Sequence, residues 1–300
     1  MKIEDIHTVL VIGAGTLGSQ IALQCAMHGF EVNLYDISNE ALEQGMQLIR
    51  GYVNSLTGSP LEAQAAAAIS HIHPLSDPQA AAQAELVSES VPEDPQLKGK
   101  VFAQFNALCP AQTIFTTNTS TLLPSMYAQA TGRPDRFAAL HFHGYVWISN
   151  VVDIMPHPGT SVETLDLLEA FARRIGQIPI RLAKESSSYV FNAMLNAVLR
   201  AATSLAAKQV TSFENVDRAW MGVMKMPVGP FGILDQVGLE TAYDINQYWA
   251  TVLNDPELQA NAAFLKSYVE QGRLGVKSGR GFYSYPDPEY LRPGFISGEE

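Results

Sequence analysis

The chain has 300 residues, 47% of them hydrophobic, which suits one large or two ordinary domains with a sizeable core and argues against a disordered chain. Its formal net charge of −11 at pH 7 argues against nucleic acid or an anionic membrane surface as partner, although local charge can still serve an anionic ligand. Cys25 and Cys109 form no disulfide framework, no apolar run reaches the ~18 residues of a membrane span, and strand signals begin by Thr8, too early for a secretory leader, so a cytoplasmic setting is expected.

Residues 8–12, Thr-Val-Leu-Val-Ile, are a β-branched run that predicts a buried strand. Gly13-Ala14-Gly15-Thr16-Leu17-Gly18 follows at once. Residues 19–28 then carry Ile21, Ala22, Cys25 and Ala26 on one face of a helix that Gly29 ends. Residues 31–35 predict a second strand, with Asp36 at its end. Strand, glycine turn, helix, strand and acid is the order of a dinucleotide site. Gly13 permits the tight turn, Gly15 lets the backbone approach a pyrophosphate, and Gly18 lets the helix pack close to the strand. The free amides at the helix start, from Thr16 and Leu17 on, face the phosphates. A carboxylate at Asp36 accepts both ribose hydroxyls of NAD and repels the extra phosphate of NADP. No Lys or Arg follows it in Ile37-Ser38-Asn39, so NAD is the expected cofactor.

Helices are expected over residues 38–56, with Ser38 as N-cap, and 61–69, with Gly58-Ser59-Pro60 between them. Residues 70–75 allow a short strand in which His71 and His73 are surface or edge residues. Strands at 86–91, 113–117, 137–142, 151–155 and 178–182 alternate with helices at 97–108 and 162–175, which implies a mainly parallel sheet. Ligands bind beyond the C-terminal strand ends of such sheets, where Glu93 and Ser120 fall. After Lys184 the pattern becomes helical: one long helix over 188–210, then 211–224, 230–238, 240–253 and 256–270. The boundary near 184 gives an N-terminal α/β domain, 1–184, and an all-helical domain, 185–300. The tail at 272–283 is glycine-rich and basic, and reads equally as a flexible loop or as a loop folding back over the cofactor.

A dehydrogenase needs a base for the hydroxyl proton as hydride leaves carbon, and histidine suits that task near neutrality. His141 on one strand and Asp153 on the next are one option for a base and its carboxylate partner, if those strands pair. His143 shares a strand face with His141, but no neighbouring Cys/His cluster completes a zinc site, so no metal is expected.

Six stretches carry a resemblance: the glycine turn at 13–18, Asn118-Thr119-Ser120, Arg136-Phe137-Ala138-Ala139-Leu140-His141-Phe142, Asn192 at a helix start, Met226-Pro227-Val228-Gly229-Pro230-Phe231, and 275–283. In their order and spacing the chain resembles the L-3-hydroxyacyl-CoA dehydrogenases over nearly its whole length, particularly short-chain 3-hydroxybutyryl-CoA dehydrogenase-like members. The resemblance implies a Rossmann-like N-terminal domain, a helical C-terminal domain that forms a homodimer, and a place in fatty acid metabolism. It implies His141 as general base with Asp153 as partner, Ser120 and Asn192 on substrate oxygens, and Glu93, Lys98, Ser120 and Lys277 at positions that touch NAD. It therefore favours a functional tail.

Three departures stand out. Gly144 replaces an asparagine near the nicotinamide, Asp153 replaces a glutamate, and Arg50 is the only Lys or Arg between Ile3 and Leu97, where relatives carry a lysine for the CoA phosphates. The bulky run Tyr145-Val146-Trp147 is expected to narrow the pocket and favour a short acyl group. The expected activity is NAD-dependent interconversion of a short 3-hydroxyacyl-CoA and its 3-ketoacyl-CoA. A dehydrogenase of a free 3-hydroxy acid or sugar acid is the alternative on the same fold. A catalytically silent, crystallin-like NAD-binding protein is the alternative of another class.

Overall fold

A computed structural model describes residues 1–299, and the chain divides into two compact units, Met1–Val190 and a second from Phe191 onward. The strands of the first unit are β1 (Thr8–Ile12), β2 (Glu31–Tyr35), β3 (Ile72–Leu75), β4 (Leu86–Glu89), β5 (Ile114–Thr117), β6 (Phe137–Phe142), β7 (Val151–Pro156) and β8 (Ile178–Arg181). They form one sheet in the order β3-β2-β1-β4-β5-β6-β7-β8. Every neighbouring pair is parallel except β6 and β7, which run antiparallel. The central strands are buried along their length, which is why they read as continuous apolar runs rather than alternating ones.

Helices α1 (Thr16–Met27), α2 (Asn39–Ser55), α3 (Glu62–Ala68), α4 (Pro78–Ala81), α5 (Pro95–Leu108) and α6 (Val162–Arg174) cover the sheet. Ser38, Asp94 and Ser161 cap α2, α5 and α6 by accepting bonds from first-turn amides. One apolar layer joins α1, α2, α3 and α6 to the sheet, with Ile21, Leu42, Ile49 and Phe171 inside it. The other joins α5 through Phe102 and Phe105 to Phe115, Tyr127 and Phe137. Both cysteines are buried free thiols.

The second unit is helical: α7 (Phe191–Ala207), α8 (Phe213–Met224), α9 (Pro230–Val237), α10 (Leu239–Leu253) and α11 (Pro256–Val269). Its core gathers Leu199, Met221, Phe231, Leu265, Phe282 and Tyr283. Two buried carboxylates fasten the tail to it. Asp217 accepts from the amides of Phe231 and Gly232 and from the Tyr283 hydroxyl, and Asp235 accepts from the amides of Phe282 and Tyr283. The glycine-rich tail is thus a folded part of this unit. The fold class is the expected one, a Rossmann-like α/β unit followed by a helical one.

One element differs in extent. The helix expected over 188–210 starts at Phe191, because Ser188 and Tyr189 adopt φ of 78° and 54°. This left-handed turn sends Tyr189 into the first unit. Among the described residues no helix is long and apolar enough to cross a membrane.

Candidate active site

The glycine turn is shaped by close approach. Gly13 has φ of 103°, and a Cβ there would lie 2.7 Å from the Ser90 carbonyl oxygen. A Cβ on Gly18 would collide with the Gly13 carbonyl, whereas nothing stands within 4 Å of the Cβ position of Gly15. Open backbone at Gly15, in front of the free amides of α1, is the cradle a pyrophosphate requires, and a side chain there would fill it. Asp36 is held at the end of β2 by the amides of Ala14, 3.0 Å from Oδ2, and Ser38, 3.2 Å from Oδ1. Each oxygen keeps a lone pair for a ribose hydroxyl. These residues fit a dinucleotide.

Beyond β4 and β5, Glu93 organises the loop that carries Ser120. It accepts from the amides of Ser120 and Thr121, each at 3.0 Å, and from the hydroxyls of Thr119 and Thr121. Burial raises its carboxyl, but the Thr119 hydroxyl and Lys98 outweigh that and hold it below the usual range. Lys98 is almost fully buried. Its Nζ lies 2.7 Å from Glu89 Oε1, 3.1 Å from the Val91 carbonyl and 3.3 Å from Glu93 Oε2. It braces this loop from below.

His141 and Asp153 are direct partners in the antiparallel β6–β7 register. The Nδ1 of His141 is 3.3 Å from Asp153 Oδ2, and its Nε2 is 3.2 Å from the Ser120 hydroxyl. Asn118 fixes the end of this strand by accepting the Phe142 amide at 2.8 Å. Burial would raise Asp153, but the hydrogen bonds from His141 and His143 outweigh it and keep its carboxyl below the usual range, hence ionised. A buried carboxylate behind the ring and a hydroxyl in front orient a histidine for proton transfer.

Tyr189, which sequence reasoning did not place, and His143, whose partner it did not foresee, complete the surroundings. Tyr189 stacks on His141 with ring centroids 4.4 Å apart, and its hydroxyl donates to the Thr119 carbonyl at 2.6 Å. No periodicity signals it, since it falls inside an apparently helical run. The Nε2 of His143 lies 3.3 Å from the same Asp153 Oδ2 that faces His141. The two-residue spacing of the histidines was the signal, but the sequence does not show their common partner.

The bulky loop takes a different course from the one expected. Val146 is fully buried in the core under α1 and α2, and Trp147 packs on Tyr52 of α2 with centroids 5.2 Å apart. Gln20 of α1 accepts the amides of Tyr145 and Val146, and Gln177 donates to the Val146 carbonyl. Val146 and Trp147 are thus committed to packing against this arm, and only Tyr145 stays exposed. Arg50 lies two residues from Tyr52, about 200° round the helix. It lines a shallow groove with Asn39, Met46 and Pro74 at the β3 edge. In the second unit Asn192 stands in the first turn of α7, and Lys277 pairs with Glu240.

The sequence model of the 3-hydroxyacyl-CoA dehydrogenase NAD-binding domain matches residues 8–186, and that of the family's C-terminal domain matches 189–285. A probable 3-hydroxybutyryl-CoA dehydrogenase of Bacillus subtilis is 30% identical over 94% of this chain and 99% of its own length. A solved diketoreductase, described as performing substrate-directed dual catalysis of dicarbonyl compounds, is 40% identical, covers 93% of this chain and 99% of its own, and superposes with a TM-score of 0.86. The (S)-3-hydroxybutyryl-CoA dehydrogenase of Ralstonia eutropha is 29% identical over 94% of this chain and all of its own, with a TM-score of 0.84. With both halves matched by one family and the nucleotide cradle intact, the chain belongs to the 3-hydroxyacyl-CoA dehydrogenases and is an NAD-dependent oxidoreductase.

Proposed function

We propose that the enzyme interconverts a short-chain 3-hydroxyacyl thioester and its 3-keto form with His141 as general base and acid. The carrying observation is the line Asp153–His141–Ser120, with the carboxylate at Nδ1 and the hydroxyl at Nε2. Bound NAD supplies the hydride acceptor. In the oxidation direction the substrate hydroxyl gives its proton to His141 Nε2 as hydride leaves the same carbon, and a carbonyl results. Asp153 balances the imidazolium that forms. Ser120, beside His141 Nε2, is placed to hydrogen-bond a substrate oxygen, and the family resemblance assigns the same task to Asn192. Gly13, Gly15, Thr16, Leu17, Gly18, Asp36, Glu93, Lys98, Ser120 and Lys277 are the positions assigned to the cofactor. The helical unit is the assigned homodimer surface, since Met194, Val223, Met224, Tyr248 and Trp249 are exposed on it. The intact base pair argues against a silent NAD-binding protein.

A second reading has an observation of its own. Arg50 is the single cation of the arm and faces away from Tyr52 and Trp147, so the arm offers that side no basic group for CoA phosphates. A dicarbonyl substrate without CoA, of the kind the diketoreductase is described as using, needs no such group. The two readings separate in an assay of NADH loss with acetoacetyl-CoA and with a truncated acetoacetyl thioester lacking the nucleotide. The truncated substrate is expected to lose less than roughly tenfold in kcat/KM, about one charge-assisted bond. A loss of several hundredfold would establish a phosphate site and the ordinary acyl-CoA assignment.

A further inference from the structure

His141 and His143 share a strand face, and the missing third ligand comes from across the sheet. Asp153 Oδ2 lies 3.3 Å from His141 Nδ1 and 3.3 Å from His143 Nε2. The three ligand atoms all lie within 4.8 Å of one another. Bonds of about 2.0–2.2 Å to zinc place the ligand atoms of a tetrahedral site about 3.3–3.6 Å apart. Two of the three edges already have that length. The imidazoles are tilted 72° to each other, so they are not stacked face to face. Closing the third edge requires His143 to move, and it stands at the end of β6, 16% exposed, before a glycine with nothing within 4 Å of its Cβ position. Two imidazoles and one carboxylate are a donor set suited to zinc.

We propose that His141, His143 and Asp153 form a zinc-type divalent metal site whose occupation silences the enzyme. The silencing rests on the reading of His141 as the base. A metal on Nδ1 of neutral His141 moves that nitrogen's proton to Nε2, the nitrogen facing Ser120, and no proton is gained or lost overall. The Nε2 lone pair that would take the substrate proton is then occupied. The metal sits behind the ring, away from Ser120, and Asp153 spends its oxygen on the metal instead of on an imidazolium.

The test is calorimetric titration of metal-free, untagged enzyme with zinc chloride, beside the rate of NADH formation at each zinc level. One zinc per chain is expected, with turnover falling in step with occupancy and returning on addition of EDTA. Magnesium, which prefers oxygen ligands, is expected to leave the rate unchanged. In His143→Asn, each rate read against that variant's own zinc-free rate, the half-inhibiting zinc concentration is expected to rise by about 10–100-fold or more. A His73→Ala control keeps the wild-type response. Absence of zinc binding, or inhibition indifferent to His143→Asn, overturns the metal site and leaves the assignment of His141 standing. Stoichiometric binding that needs His143 yet leaves turnover intact overturns the silencing and the assignment together.

Discussion

The molecule sets two histidines, two residues apart, on a carboxylate in two places, with different geometry and different settings. His71 Nδ1 and His73 Nε2 lie 2.7 Å from the two oxygens of Glu31, and His141 Nδ1 and His143 Nε2 each lie 3.3 Å from one oxygen of Asp153. The first cluster joins β2 to the edge strand β3, with its side chains 43–49% exposed. The second lies inside the sheet, with Asp153 only 1% exposed. The surface cluster has the shorter contacts, yet water competes for every one of them and little is gained. Inside the sheet His141 and Asp153 are only 4% and 1% exposed, and the ring meets a serine hydroxyl and a stacked tyrosine. The ring of His141 then has one orientation and one partner on each nitrogen. Environment, more than composition or distance, separates a site from a surface feature.

The comparison breaks first on turnover. His141→Ala is expected to lower kcat by about 10²–10⁴-fold with little change in NAD affinity, while His73→Ala leaves kcat unchanged. Comparable losses in the two variants would erase the distinction. Asp153→Asn is expected to approach the loss of His141→Ala, because an amide favours the wrong tautomer and cannot balance an imidazolium. The double variant should then be no slower than the slower single one, as for groups that act as a unit. Steady-state rates of all three test this.

Tyr189→Phe keeps the ring on His141 and removes the bond to the Thr119 carbonyl. It is expected to lower kcat by up to about tenfold, the worth of one neutral hydrogen bond. Full retention of kcat would show that the stack alone positions the ring. The smallest effect lies at the surface. Glu31 is held below the usual carboxylate range by its bonds to His73 and His71. A depressed folded value makes its contribution present above the unfolded value, about pH 4.3, and lost as pH falls through the folded one. Because Glu31 is half exposed, Glu31→Gln is expected to cost less than about 1 kcal/mol in urea unfolding at pH 6. A larger cost would mean that the exposed cluster contributes more to the fold than its setting allows.

Much of this was legible in the chain because the signals are local. The run from Thr8 to Asp36 states strand, turn, helix, strand and acid in order, and the structure gives each glycine there a steric or spatial reason. His141 and Asp153 were visible as candidates, but their pairing depended on β6 and β7 being antiparallel in one register, which spacing does not fix. Tyr189 stayed hidden because a turn at Ser188 and Tyr189 interrupts a pattern that reads as unbroken helix. The course of Val146 and Trp147 was not legible, because composition shows that a loop is bulky without showing which way it faces. The burial of Lys98 against Glu89 has no signal in the chain, because it depends on how α5 packs on the sheet.

The central claim is that His141, held by Asp153, takes the proton that leaves as hydride is transferred. The most direct measurement is the pH dependence of kcat/KM for NAD-dependent oxidation, wild type against His141→Ala, over a range in which the protein stays folded. The account predicts that the wild-type value rises with pH to a plateau set by a single ionising group. In His141→Ala that step should vanish and the plateau should fall by about 10²–10⁴-fold. An unchanged step in the variant, with turnover near that of the wild type, would contradict it.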